Sequence, residues 1–255
     1  PKRASELAEV ADRWNSYADR EKAEMNILAD MVAEGRTPAA ARKKLTDYRE
    51  AFARAGVSMV YLPDDVDGFF DLQAAQRDLQ LELNATPLTN PKRRTELMQA
   101  FFGAAGEGLY LECPVYANWG CNTYWGERCY ANFNLTLVDD GEIFIGSHTM
   151  IGPNVTLVAT GHPVRPDLRY QGAQYSLPVH IGENVWIGAN VTVLPGGTIG
   201  DNAVIGANSL VTKDIPANTV AYGSPCKVIR EINERDDVYY WRDRQFRERF
   251  KLKEQ

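Results

Sequence analysis

The run IGENVW-IGANVT-VLPGGT-IGDNAV-IG, residues 181–206, decides the fold. Ile181, Ile187, Val193, Ile199 and Ile205 fall six apart, and Gly182, Gly188, Gly200 and Gly206 each follow one of them. Val211 extends the series forwards; Ile145, Ile151 and Leu157 extend it backwards, making nine in-phase aliphatic positions. A period of six is neither the 3.6 of a helix nor the 2 of a simple strand. It is the period of a solenoid in which each hexapeptide is one short strand and a turn. The aliphatic residue points inward, and the small residue after it lets the chain bend. Three hexapeptides close a triangular coil of eighteen residues, and coils stack at about 4.8 Å, the spacing of hydrogen-bonded strands. Asn154, Asn184, Asn190, Asn202 and Asn208 stand three residues after an inward position, where asparagine tolerates left-handed turn geometry.

Two irregularities interrupt the count. Trp119, Trp125, Ala131 and Leu137 are also six apart, but offset by two from the later series, which implies a two-residue insertion near Asp139-Asp140. Twenty-four positions separate Leu157 from Ile181, so the phase survives a long excursion that begins with Thr160-Gly161-His162-Pro163.

Composition sets bounds. The chain has 255 residues and a net charge of -6, which argues against a nucleic-acid partner held by bulk electrostatics. Cys113, Cys121, Cys129 and Cys226 form no CxxC pair and read as reduced thiols in a cytoplasmic protein. The first residues lead into no apolar segment, and no run of eighteen apolar residues occurs, so neither a signal peptide nor a membrane span is expected. Residues 1–62 read as a charged helical extension, with Thr37-Pro38 as a helix start. Residues 63–106 read as a small helical unit: a loop at Pro63–Gly68, a helix to about Asn84, and another from Pro91 to about Phe102. The solenoid occupies 107–229, with a loop at 160–178, and 230–255 reads as an amphipathic helical tail.

Several segments now carry a resemblance. Tyr130–Asn134, Val138-Asp139-Asp140, Thr160–Pro163, Asn184–Gly188, Val211–Pro216 and Gly223–Arg230 are similar to the galactoside and maltose O-acetyltransferases, members of the hexapeptide-repeat acyltransferases. Leu83-Asn84-Ala85-Thr86-Pro87 resembles the signature of that family's small N-terminal helical domain. The resemblance covers roughly residues 63–240. It implies a left-handed parallel β-helix, a homotrimer with active sites between adjacent subunits, and acetyl-CoA as co-substrate without a metal.

It also implies site residues. His162 would be the general base. An imidazole can take the proton of an alcohol as its oxygen attacks a thioester carbonyl, so no covalent enzyme intermediate is needed. Of the other histidines, His148 reads as a solvated corner residue and His180 as an outward strand residue; Cys121 and Cys129 read as core-facing. Acceptor contacts carry over to Asp64, Asn132 and Asp140, with Asp65 or Asp67 as alternatives to Asp64. Carboxylates and amides suit sugar hydroxyls. Coenzyme A contacts carry over to Ala189, Ala207, Thr212, Lys213, Lys227 and Arg230, the last three supplying positive charge for phosphates. Asn118 stands where the family often has serine, and Ala173-Gln174 where the galactoside enzyme has a Glu-Met pair. Lys227 replaces a common arginine, and Ala189 a serine.

The expected activity is acetyl transfer to a hydroxyl, a primary one, of a sugar or oligosaccharide. Three alternatives compete. The acceptor could be an amino group on a sugar or antibiotic. A zinc lyase on the same solenoid would need three converging histidines. A non-catalytic scaffold would use its coils only for assembly.

Overall fold

A computed structural model describes residues 69–247. Residues 1–62 and Asp64, Asp65 and Asp67 lie outside the described residues. The architecture is a parallel β-solenoid of three faces. The first face stacks Ala104–Ala105, Thr123–Trp125, Ile143–Ile145, Val179–Ile181 and Thr198–Ile199. The second stacks Tyr110–Leu111, Tyr130–Ala131, Met150–Ile151, Trp186–Ile187, Val204–Ile205 and Thr219–Tyr222. The third stacks Val115–Ala117, Leu135–Val138, Thr156–Val158, Thr192–Val193 and Leu210–Val211. Ile181 pairs with Ile199, Ile187 with Ile205 and Val193 with Val211, so these coils are eighteen residues long. All six side chains are buried and belong to one continuous core.

The corners behave as the asparagine spacing predicts. Asn154, Asn184, Asn190, Asn202 and Asn208 all have φ between 53° and 59°. Their side chains also form ladders: Asn184 donates to Asn202 at 2.9 Å, and Asn190 to Asn208 at 3.1 Å. Glycine is needed at Gly146 for a different reason. A Cβ there would lie 2.5 Å from the carbonyl carbon of Gly182 and 2.6 Å from Glu183 N, both backbone atoms of the next coil.

The early coils are longer. Ala105 pairs with Trp125, Ala117 with Leu137 and Trp125 with Ile145, each twenty residues on. The two extra residues sit at the corner between the third and first faces. One expansion is near Asp139-Asp140, as the phase slip predicts. A second falls at Asn118–Asn122, and it corrects the reading of Trp119. Ala117 and Trp125 are the inward residues on either side, so Trp119 belongs to the corner and its six-residue spacing to Trp125 is coincidental. The same corner of the next coil carries the long excursion.

Both ends of the sheets are covered. Helix α1 (Phe69–Ala85) and helix α2 (Pro91–Phe101) pack on the first coil. Asn84 donates to Val115 O at 2.8 Å and accepts from Val115 N at 2.9 Å, and Gln80 accepts from Ala117 N at 2.6 Å. Side-chain amides thus satisfy the open edge of the third face, which would otherwise be free to pair with another chain. Arg94, buried on α2, ties Leu83 O, Thr86 O, Leu111 O and Cys113 Sγ together. At the far end, Lys227–Glu231 closes the second face as an antiparallel strand.

The described part of the tail, residues 232–247, differs from the single amphipathic helix expected over 230–255. It holds a five-residue helix, Glu234–Val238, started by an Asn233 capping box, then a hairpin of Tyr239–Trp241 and Arg244–Gln245. Three consecutive aromatic residues favour a strand, and Arg242 at φ 49° makes the turn. Among the described residues no helix is long and apolar enough to cross a membrane.

Ile187→Ala should cost about 2–5 kcal/mol through the cavity it leaves. Gly146→Ala should cost about 1–3 kcal/mol or more by forcing two coils apart. Urea unfolding of each variant against the native protein measures both, and an unchanged midpoint for Gly146→Ala would contradict the close coil contact.

Candidate active site

His162 follows directly on the root of the excursion. Thr160–Gly161 pairs antiparallel with Tyr175–Ser176, and Thr160 and Ser176 share a hydroxyl hydrogen bond of 2.8 Å. A Cβ at Gly161 would sit 2.6 Å from the Tyr175 hydroxyl, so a side chain there would have to displace the end of Tyr175. The tip carries the short helix Pro166–Tyr170. His162 itself is exposed, and its Nδ1 lies 2.8 Å from the carbonyl oxygen of Ala173. A carbonyl oxygen only accepts, so Nδ1 donates, and in the neutral ring the lone pair is then on Nε2. Ala173 is buried, and its own N–H is fixed to Leu168 O at 3.1 Å.

The same corner, one coil back, holds Asp139 and Asp140. Asp140 is buried; Asn118 Nδ2 donates to it at 2.7 Å and Trp119 Nε1 at 3.2 Å. Asp139 is fully buried. It accepts from Trp119 N at 2.8 Å and from Thr123 Oγ1 at 3.0 Å. Burial, and then the neighbouring Asp140, push the Asp139 carboxyl up to about 7, against the opposing pull of these hydrogen bonds.

The other expected site residues divide between corners. Asn132, Ala189 and Ala207 lie at the corner between the second and third faces. Asn132 is half-buried and its Oδ1 accepts from Phe133 N at 2.8 Å. Ala189 and Ala207 are stacked one coil apart, joined by Asn208 N to Ala189 O at 2.9 Å. Thr212 and Lys213 are exposed and follow the third face at its corner with the first. Lys227 is exposed on the closing strand, paired with Tyr222. Arg230 lies on the same strand but is engaged by both oxygens of Asp236, at 2.6 and 2.7 Å. That pairing holds the Asp236 carboxyl below its ordinary range.

The three histidines do not converge. His148 is an exposed corner residue at φ 61°, and His180 sits on the first face, stacked on Phe144 at 5.1 Å. Among the described residues no three His, Cys, Asp or Glu side chains are grouped to hold a metal ion. Cys121 and Cys129 are buried, and burial raises the Cys129 thiol. Three features were not read from the sequence: the Ala173 carbonyl behind His162, the burial of Asp139, and the corner position of Trp119. The phase slip at Asp139-Asp140 was the available signal for the second; nothing in the six-residue spacing marked the third.

Comparison with known proteins finds similarity to hexapeptide-repeat acetyltransferases. The family model described as bacterial transferase hexapeptide (six repeats) matches residues 178–213. The galactoside O-acetyltransferase of Lactococcus lactis is 50% identical over 192 residues, which cover 75% of this chain and 92% of that protein. That of Escherichia coli (strain K12) is 49% identical over 180 residues, covering 71% and 89%. Among solved structures, a galactoside acetyltransferase in complex with coenzyme A superposes with a TM-score of 0.73 at 46% identity, covering 77% of this chain and 98% of that one. A maltose O-acetyltransferase from Clostridium difficile 630 gives 0.66 at 39% identity, covering 69% and 93%.

The raised Asp139 carboxyl makes stability depend on pH. Between about 4 and about 7 the folded chain keeps a proton there that the unfolded chain has released. The native fold is therefore favoured at low pH and loses on the order of a few kcal/mol as pH rises through about 7. The Tm of the native protein should fall further from pH ~5 to pH ~8 than that of Asp139→Asn, which cannot ionise. Parallel curves would contradict the assignment.

Proposed function

The chain belongs to the galactoside O-acetyltransferase family of hexapeptide-repeat acyltransferases, and from this we propose that it transfers acetyl from acetyl-CoA to a primary hydroxyl of a sugar or oligosaccharide. The observation that carries the reading is the His162 Nδ1 hydrogen bond to the Ala173 carbonyl. It fixes the tautomer and leaves Nε2 free to accept the acceptor's hydroxyl proton as that oxygen attacks. The Ala173 carbonyl then faces the positive charge that develops on the imidazole. His162 returns the proton to the departing thiolate, and transfer is direct within a ternary complex.

Acetyl-CoA supplies the activated acetyl thioester. The residues present fit it. Ala189 and Ala207 present only methyl groups to an extended pantetheine arm, and Lys213 and Lys227 are exposed cations suited to phosphates. Arg230, already paired with Asp236, contributes less net charge. Asp140 and Asn132 are the acceptor contacts. Asp140 is held by Asn118 and Trp119, and a carboxylate is an acceptor suited to sugar hydroxyls.

One geometric fact bears on assembly. His162, Asp140 and Lys213 stand at one corner of the solenoid, Asn132, Ala189 and Ala207 at the next, with the third face between them. A neighbouring copy can bring its second corner to this chain's first. This supports a homotrimer with sites between subunits; a cytoplasmic setting is proposed from the four cysteines, which form no disulfide.

Thiol release from acetyl-CoA, measured over a panel of sugars and amines, tests the proposal. We expect acetylation of sugars, with kcat lowered about 10²–10⁴-fold in His162→Ala. Lys213→Ala and Lys227→Ala should raise the KM for acetyl-CoA several-fold and leave the acceptor KM unchanged. Equal activity in His162→Ala would sink the mechanism. Transfer to amines alone would replace the sugar hydroxyl with an amino acceptor.

A further inference from the structure

Asp139 has no part in the transfer described above, yet more of the corner depends on it than on Asp140. Its two carboxyl oxygens and its backbone carbonyl are all directed at the preceding coil. Oδ1 accepts from Trp119 N at 2.8 Å, Oδ2 from Thr123 Oγ1 at 3.0 Å, and the carbonyl from Asn122 Nδ2 at 2.8 Å. The expanded corner 118–123 is therefore wrapped around a single buried carboxyl. The side chains that this corner presents, Asn118 Nδ2 and Trp119 Nε1, both donate to Asp140.

We infer that Asp139 is a positioning residue for acceptor binding: it shapes the 118–123 corner so that Asn118 and Trp119 fix the carboxylate of Asp140 in the orientation the acceptor meets. The inference rests on Asp140 being an acceptor contact, as proposed above. Both of its protonation states can be satisfied. Ionised, Asp139 accepts from Trp119 N and Thr123 Oγ1; neutral, its O–H donates to Thr123 Oγ1, which can also accept.

The titratable surroundings are few. The corner 118–123 brings Cys121 and no charged side chain. Asp139's own corner brings Asp140 and Glu142. The residues packed on Gly141 from the excursion, Ala159 and Ser176, are uncharged. A carboxyl raised to about 7 exchanges its proton near neutrality. Losing that proton sets a second negative charge beside Asp140, so acceptor binding should weaken above neutral pH while donor binding does not.

The test uses the full chain with Asp139→Asn and Asp139→Ala. Kinetics from pH ~6 to pH ~8.5 separate the two substrates, because an interaction made with one substrate moves only that substrate's KM. Asp139→Asn keeps an acceptor for Trp119 N and a donor for Thr123. It should hold kcat within about threefold and flatten the pH dependence of the acceptor KM. Asp139→Ala should raise the acceptor KM about tenfold or more, with the acetyl-CoA KM within about twofold. Acceptor and donor KM rising together, or an unmoved acceptor KM, would overturn the inference.

A readout free of catalysis accompanies it. The Trp119 indole N–H resonance, assigned with Trp119→Phe, should titrate near pH 7 in the native protein and stay fixed in Asp139→Asn. No titration in the native protein would also overturn the inference, whether or not Asp139→Ala folds. If no sugar is acetylated but the indole titrates, the reading of function fails while the link from Asp139 through Trp119 stands.

Discussion

Everything in this molecule depends on one requirement: each coil must present its backbone N–H and C=O groups in register with the coil above it. Gly146 N reaches Ile181 O at 2.8 Å, and Gly182 N reaches Ile199 O at 2.8 Å, along the same line. The inward column from Ile145 to Val211 contributes burial, but register is what admits no slack on the faces. Extra residues can therefore leave the solenoid only at a corner. Two two-residue expansions and one long excursion do so at the corner between the third and first faces. The polar knot of Asn118, Trp119, Asp139 and Asp140 and the His162 loop are consequences of that choice.

The ends obey the same requirement. A parallel stack has two open edges, each with unpaired backbone groups. At the start of the third face, α1 meets the requirement with side chains, Asn84 and Gln80, in place of a strand. At the end of the second face, the chain reverses and pairs with itself through Lys227–Glu231. Lys227 and Arg230 are thus held on the strand that closes the fold. Arg230's pairing with Asp236 anchors the short helix beyond it.

Much of this was legible in the sequence because a six-residue period, unlike a single motif, tests itself at every repeat. Ile181 to Val211, the corner asparagines and the in-phase excursion all fell where the spacing put them. The two helices did also, the second starting at Pro91 as read, with Asn90 capping it in the structure by accepting from Arg93 N. What was not legible had specific causes. Trp119 lies six before Trp125 by chance, and only strand register reveals that two residues are looped out between Ala117 and Trp125. The partner of His162 is a backbone carbonyl, and any residue at 173 supplies one, so no side-chain pattern marks it. The closing hairpin was read as a helix because alternating charges and aromatics fit both periods over so short a span.

A solenoid of nearest-neighbour contacts also separates the two halves of the proposed chemistry along its axis. Energetic coupling in a stacked array passes mainly between adjacent coils. The irregular coils before Ile181 carry Asn118, Asn132, Asp139, Asp140 and the excursion; the even hexapeptides after it carry Ala189 and Ala207, and Lys213 lies at the corner where the last coil is two residues shorter, Ile199 to Ile215. A change at Asn118, or at Ala173 and Gln174, can reshape what meets His162 without disturbing the stack beneath Ala189 and Ala207. His162 stands at the junction, on a loop that leaves from the last irregular coil and returns to the first regular one. The corner that can absorb insertions is therefore the one where acceptor preference can change. The corner between the second and third faces, which keeps its six-residue spacing in the described coils, is the one that would offer the proposed thioester carrier a straight, repetitive ledge.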